Sequence, residues 1–147
     1  MSQPIEVRLT QESGFRFSID FGGGLVPLTG DEAPPLGQGS GPTPLHLLAA
    51  AVGNCLSDSL HFAITKFKQD ARGIATTVKA EVGRNAEGRM RVLGMDVEVR
   101  LGAPAAGIEH LDRALAQFES FCTVAQSVGQ GVPIKVCVFD GEGRQVK

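Results

Sequence analysis

Three cysteines, Cys55, Cys122 and Cys137, are the residues of this chain with the most chemistry to offer. A thiolate can serve as metal ligand, nucleophile or redox group. His46 stands nine residues before Cys55. In one straight helix that is about 900° of rotation and about 13.5 Å of rise, so the two cannot share an ion. With no CxxC or HxxxH spacing either, zinc is not indicated. The glycines at 22–24 lack the lysine and following helix that a phosphate loop requires. Redox or nucleophilic use of a thiol remains. Cys122 opens a predicted short helix, where unpaired backbone N–H groups favour a thiolate, whereas Cys55 falls in mid-helix. Local chemistry therefore favours Cys122 as the reactive thiol. Cys55 taken alone reads equally well as a small buried hydrophobe, and Cys137, between Val136 and Val138, reads as core or sheet packing.

Cys55 is positioned by the stretch from Gly41 to Asp70. Thr43 can cap a helix whose first position is Pro44, and no further proline interrupts it. Leu45, Leu48, Val52, Leu56, Leu60, Ile64 and Phe67 recur at steps of three and four, while Asn54, Asp58, His61 and Thr65 form a polar stripe. Before Ser57 nearly every face is apolar, which predicts burial on all sides, in the molecule or in an oligomer. Gly53 would suit the close crossing of a second helix.

Ile5, Val7 and Leu9, then Phe15, Phe17, Ile19 and Phe21, alternate with polar residues and predict a hairpin turning at Gln11 to Gly14. A short strand at Leu25 to Leu28 leads into the Gly/Pro-rich loop GDEAPPLGQGSGPTP, read either as a lid or rim or as a disordered connector. After the helix, with Gly73 as its stop, alternation over Ile74 to Val82 and Met90 to Leu101 predicts two strands, with a bulge at Gly94. Ile108 to Phe121 reads as an amphipathic helix, Cys122 opens a second, and Ile134, Val136 and Val138 form a last strand. The order βββ, long α, ββ, αα, β predicts an α+β fold with antiparallel sheets around a long central helix. The 147 residues suggest one domain, 1–147. Net charge is −2 with both signs interspersed, which offers no field for nucleic acid or an acidic membrane. The run from Pro44 to Gly53 is short for a bilayer span, and MSQPIEVRLT lacks the pattern of a signal peptide. A cytoplasmic protein with reduced thiols is expected.

The pairing of GPTPLHLLAAAVGNCL with the distant SFCTVAQSVGQGVPIKV resembles the OsmC/Ohr family of osmotically inducible and organic-hydroperoxide-resistance proteins. The resemblance implies an intertwined homodimer acting in oxidative-stress defence as a thiol peroxidase, with active sites at the subunit interface. By position Cys55 would be the peroxidatic thiol and Cys122 the resolving one. It also implies an arginine from the N-terminal strands as the activating cation, for which Arg16 is favoured over Arg8; a solvated strand face is the competing reading of Arg16. Two departures stand out. Leu45 and His46 occupy the places where family peroxidases carry a carboxylate, and Thr123 follows Cys122 where the hydroperoxide-resistance branch has proline. The chain thus looks closer to the OsmC-like branch, with His46 as a possible substitute for the carboxylate or simply a structural first-turn residue.

The chemistry so implied needs no metal or bound cofactor. Attack of the Cys55 thiolate on a peroxide O–O bond releases an alcohol and leaves a sulfenic acid. Cys122 condenses with it to a disulfide, and an external dithiol, of lipoyl type in the family, resets the pair. An apolar pocket would favour organic hydroperoxides. The alternative is a non-catalytic OsmC-like protein that binds a small apolar or thiol-containing ligand at the same interface.

Overall fold

The computed structural model describes residues 3–147. The elements are β1 (Arg8–Ser13), β2 (Arg16–Asp20), β3 (Leu28–Gly30), α1 (Pro44–Lys66), β4 (Ile74–Arg84), β5 (Met90–Leu101), α2 (Leu111–Gln117), α3 (Thr123–Val128) and β6 (Ile134–Phe139). One turn of 3₁₀ helix precedes α2 at Ala105–Gly107, and another, Phe118–Phe121, joins α2 to α3. The α+β class and the order of elements agree with the alternation and periodicity of the sequence.

The chain forms two compact units, residues 1–48 and 49–147. The first is an antiparallel sheet in the order β1-β2-β3. Its hairpin turns tightly at Gly14, which takes φ +54°, a conformation that suits a residue without a side chain. The third strand lies three residues beyond the predicted Leu25–Leu28, because three successive glycines with positive φ, Gly22 to Gly24, spend the preceding segment in turns.

The second unit is a sheet in the order β4-β5-β6, with α1 packed on one face. β4 and β5 are antiparallel, with the predicted bulge: Glu81 pairs with Gly94 and Val82 with Val92, leaving Leu93 as the extra residue. β5 and β6 run parallel, a departure from the all-antiparallel expectation. The helical segments between them provide the crossover that parallel neighbours need. The core of this unit consists of Met95, Val97, Val99 and Leu101 of β5, Val138 of β6, the fully buried Val52, Leu56, Leu60 and Ile64 of α1, and Leu111, Leu115 and Phe118.

Gly53 is buried, but what crosses it is β4 of the same chain rather than a second helix. Ser57 Oγ, which donates to the Gly53 carbonyl at 2.6 Å, also lies 2.6 Å from Thr76 Oγ1 on β4 and ties helix to strand. The predicted polar stripe of α1 is exposed, and Asn54 Nδ2 donates to Asp58 at 3.0 Å. The apolar first half of α1 is not buried all round within one chain, for Leu45, Ala50 and Ala51 are exposed. Taken whole, α1 is long and apolar enough to cross a bilayer by length and composition, although its first ten residues are not. Here its apolar ridge instead fills the core of the second unit. The helix stops at Lys66 rather than Gly73; Lys68 turns into the left-handed region at φ 58°, and Gly73, at φ +98°, leads directly into β4.

Candidate functional site

Cys55 sits in the middle of α1 and is half-buried, while Cys122 caps α3 with φ −80° and ψ 97° and is 0% exposed. The fold brings these two sequence-distant thiols near enough for Cys55 to bear on the ionisation of Cys122. α1 supplies a second influence. Ser59, one helical turn beyond Cys55 and therefore on the same face, has the smallest of the influences on the ionisation of Cys122 and pulls it downward. Sequence reasoning missed Ser59; its signal was the i+4 spacing from Cys55.

The electrostatics of Cys122 reverse the ranking drawn from local sequence. Burial is the largest influence and disfavours the thiolate. Cys55 acts in the same direction, while the backbone N–H of Ala125 and the Ser59 hydroxyl pull the other way. The result is a thiol pushed up to about 11 from its ordinary 9.0. The start of a six-residue helix does not outweigh removal from water, so Cys122 is a protonated thiol at neutral pH.

The other residues singled out from sequence have local partners of their own. Arg16, on β2, is exposed and its Nε donates to Glu12 at 2.7 Å within the β1–β2 hairpin; Arg8 pairs with Glu6 at 3.3 Å. His46 helps to build the start of α1. Thr43 N–H donates to His46 Nδ1 at 3.1 Å, and His46 N–H lies 3.4 Å from Thr43 Oγ1. This is a capping box in which histidine takes the place usually held by Glu or Gln. Cys137 is half-buried on β6, in register with Glu98 and facing the sheet surface opposite Val136 and Val138. There it lines a shallow recess of about 300 Å³ with Lys79, Asp96, Glu98 and Lys135. Among the described residues no three His, Cys, Asp or Glu side chains are grouped to hold a metal ion.

The Gly/Pro-rich loop before α1 is ordered around one buried carboxylate, so it is not a disordered connector. Asp31 accepts backbone N–H groups from Glu32 at 2.8 Å, Gln38 at 3.2 Å and Ser40 at 3.0 Å, and the Ser40 hydroxyl at 2.7 Å. The Ser40 hydroxyl and backbone bonds dominate, and the four together hold the Asp31 carboxyl down at about 2. Asp31 also borders the apolar cavity of the first unit, about 320 Å³ lined by Leu9, Phe15, Phe17, Ile19, Pro42 and Leu47.

The sequence model of the OsmC-like protein family matches residues 37–136, a span that includes Cys55 and Cys122. The chain belongs to this family. Solved structures share its fold at low identity. An OsmC-like protein of unknown function from Vibrio cholerae superposes with a TM-score of 0.79 at 13% identity, over 94% of this chain and 100% of that one. An organic hydroperoxide resistance protein from Elizabethkingia anophelis gives 0.72 at 17% identity, over 94% and 98%. Another described by that activity, from Legionella pneumophila, gives 0.70 at 16%, over 93% and 98%. No protein of curated function matches the chain by sequence.

Proposed function

We propose that the protein reduces organic hydroperoxides through a Cys55/Cys122 redox pair, with an external dithiol as the reductant. The observation that carries this reading is the nearness of two thiols far apart in sequence, close enough for Cys55 to bear on the ionisation of Cys122, one half-buried and the other sealed from solvent and protonated. Their inequality suits a division of labour. Cys55, open to a peroxide, takes the oxygen and becomes a sulfenic acid with release of an alcohol. Cys122, held as a neutral thiol, is protected from the same oxidation until the sulfenic acid forms beside it. Membership of the OsmC-like family supports the reading, as do the hydroperoxide-resistance proteins among its structural neighbours.

The working form in this proposal is a homodimer in a reducing cytoplasm. Large apolar side chains are exposed in the single chain, among them Val26 at 86%, Phe121 at 70%, Phe62 at 67% and Leu36 at 65%, and the apolar start of α1 is uncovered. Such surface supports association.

A second reading, non-catalytic binding of a small apolar ligand, is favoured by the first turn of α1. It contains no acidic residue, and the ring of His46 is committed to the cap. One experiment separates the two. Pre-reduced protein is mixed with cumene hydroperoxide for a single turnover, and the products are analysed by mass. Stoichiometric loss of peroxide with a Cys55–Cys122 disulfide, abolished in Cys55→Ser and halted at an oxidised Cys55 in Cys122→Ser, is the expected outcome. Undiminished peroxide with both thiols reduced would overturn the peroxidase reading in favour of ligand binding.

A further inference from the structure

The side-chain ammonium of Lys147 makes three contacts, and all three fall on the segment that leads to Cys122. Its Nζ donates to the Leu115 carbonyl at 2.9 Å, pairs with the Glu119 carboxylate and lies 5.0 Å from the centre of the Phe118 ring. Leu115 belongs to the last turn of α2, where helix carbonyls lack partners of their own. That turn contains no basic residue. A cation 32 positions away therefore supplies what the helix end needs. Lys147 is in turn fixed from behind. Its carbonyl accepts the Val138 N–H at 2.9 Å and its own N–H donates to the Val138 carbonyl at 3.2 Å, which fastens this end of the chain to β6.

The grip passes to Cys122 through the backbone. Cys122 N–H donates to the Glu119 carbonyl at 3.1 Å, and Gln126 N–H donates to the Cys122 carbonyl at 2.9 Å. Gln126 Nε2 also donates to the Glu119 carbonyl, at 3.0 Å. Residues 118–122 thus form one closed turn, with Phe118 at one end and Cys122 at the other, both 0% exposed. The Lys147 and Glu119 side chains are themselves only 32% and 33% exposed, so water and salt screen this pair less than a fully solvated one. We propose that Lys147 is a positioning residue for Cys122, a latch that keeps the turn closed and the thiol sealed from outside oxidants and electrophiles. The inference rests on the two-cysteine reading, in which Cys122 reacts with the oxidised Cys55 and with nothing before it, and deepens that reading. None of the three contacts of the ammonium is made with Cys122 itself. Releasing the latch therefore changes access to the thiol and leaves its chemistry in place.

The test labels Cys122 with N-ethylmaleimide in the full chain carrying Cys55→Ser and Cys137→Ser, so that one thiol remains. Lys147→Met keeps an apolar stem beside Phe118 and removes the charge and the donors. Labelling is then expected to accelerate about tenfold, the factor to which the loss of one charge-assisted hydrogen bond corresponds. Losing a positive charge does not favour a thiolate, so acceleration reports opening of the turn. Glu119→Gln breaks the ion pair from the other side and leaves the Glu119 carbonyl, with about threefold acceleration expected. Lys147→Arg keeps the cation and can lie on the Phe118 ring, and it should label at the parent rate. The effect should also be local. Rates in Lys147→Met should barely change with urea below the unfolding transition, whereas labelling through global unfolding rises steeply with it. Parent-like labelling in both Lys147→Met and Glu119→Gln, acceleration shared by Lys147→Arg, or the full urea dependence of global unfolding would overturn the inference. No peroxide and no Cys55 enter this readout. Failure of wild-type protein to consume cumene hydroperoxide therefore refutes the peroxidase reading alone, and the labelling rates still decide the latch.

Discussion

Gly53 of α1 and Val78 of β4 meet so closely that a β-carbon on the glycine would stand 2.7 Å from Val78 Cγ2. The contact sits half a helical turn before Cys55 and sets how closely α1 lies on the sheet. Gly53→Leu should destabilise the protein by about 1–3 kcal/mol through overpacking, although removing glycine from a helix interior returns about 1 kcal/mol. Gly53→Ala combined with Val78→Ala should be more stable than the two single changes predict together. Urea unfolding of the four proteins checks this, and strictly additive energies would mean that helix and strand are not in tight contact.

Cys122 provides a prediction in the alkaline range. Its pKa in the folded protein, about 11, lies above the ordinary 9.0, chiefly through burial and then through Cys55. The unfolded chain therefore loses this proton first as pH rises. The stability associated with the group is fully present below about pH 9 and falls as pH climbs toward 11. Cys55→Ala removes one of the influences that hold the thiol up, so the pH at which Cys122 ionises should move down. Thiolate absorbance at 240 nm in the Cys55→Ala, Cys137→Ser protein measures it directly. A midpoint that does not fall would show that burial alone governs the thiol.

Asp31 behaves in the opposite sense. Its carboxyl is held down at about 2 by the Ser40 hydroxyl and backbone N–H, with further N–H groups from Glu32 and Gln38, against an ordinary value of 3.8. Its contribution is complete above about pH 4 and disappears as pH falls toward 2, because the unfolded chain takes up the proton first. Asp31→Asn should flatten the acid limb of the stability curve in that window and loosen residues 31–40. Acid titration of unfolding, with hydrogen exchange at the Gln38 and Ser40 amides, tests both parts. Unchanged protection of those amides would mean that the loop is held by its other bonds.

Much of this arrangement was legible in the sequence, and the parts that were not share a physical reason. The 3.6-residue period of α1, the alternation of β4 and β5 and the bulge near Gly94 are local patterns, and each reappears at its expected place. Contacts across the chain are not local. Nothing in the neighbourhood of Ile134 states that β6 runs parallel to β5, and nothing around Cys122 states how deeply it is buried. A helix start favours a thiolate when water is near, and the sequence could not say that water is excluded. Gly53 was recognised as a point of close approach, but its partner proved to be Val78 of a strand. Asp31 escaped notice because a lone carboxylate in a Gly/Pro-rich loop looks like a solvated one until Gln38 and Ser40 fold back onto it.

The start of α1 shows how a residue considered for catalysis can be committed to architecture. Thr43 and His46 satisfy each other across the first turn, with N–H to Nδ1 at 3.1 Å and Oγ1 to Nδ1 at 2.9 Å. Nδ1 accepts from the Thr43 N–H, so the ring proton belongs on Nε2. Thr43→Ala should cost about 1 kcal/mol, as the loss of a helix cap does. His46→Ala should cost less on its own and little more in the Thr43→Ala background, because the two residues form a reciprocal pair. His46→Glu rebuilds the box in its commoner form and adds negative charge at the helix N-terminus, a change expected to be neutral or to add about 0.3–1 kcal/mol. Thermal unfolding of the five proteins at pH 7 orders them. A loss in His46→Glu as large as that in Thr43→Ala would show that the imidazole makes a contact beyond the cap, and it would return His46 to consideration as a functional side chain.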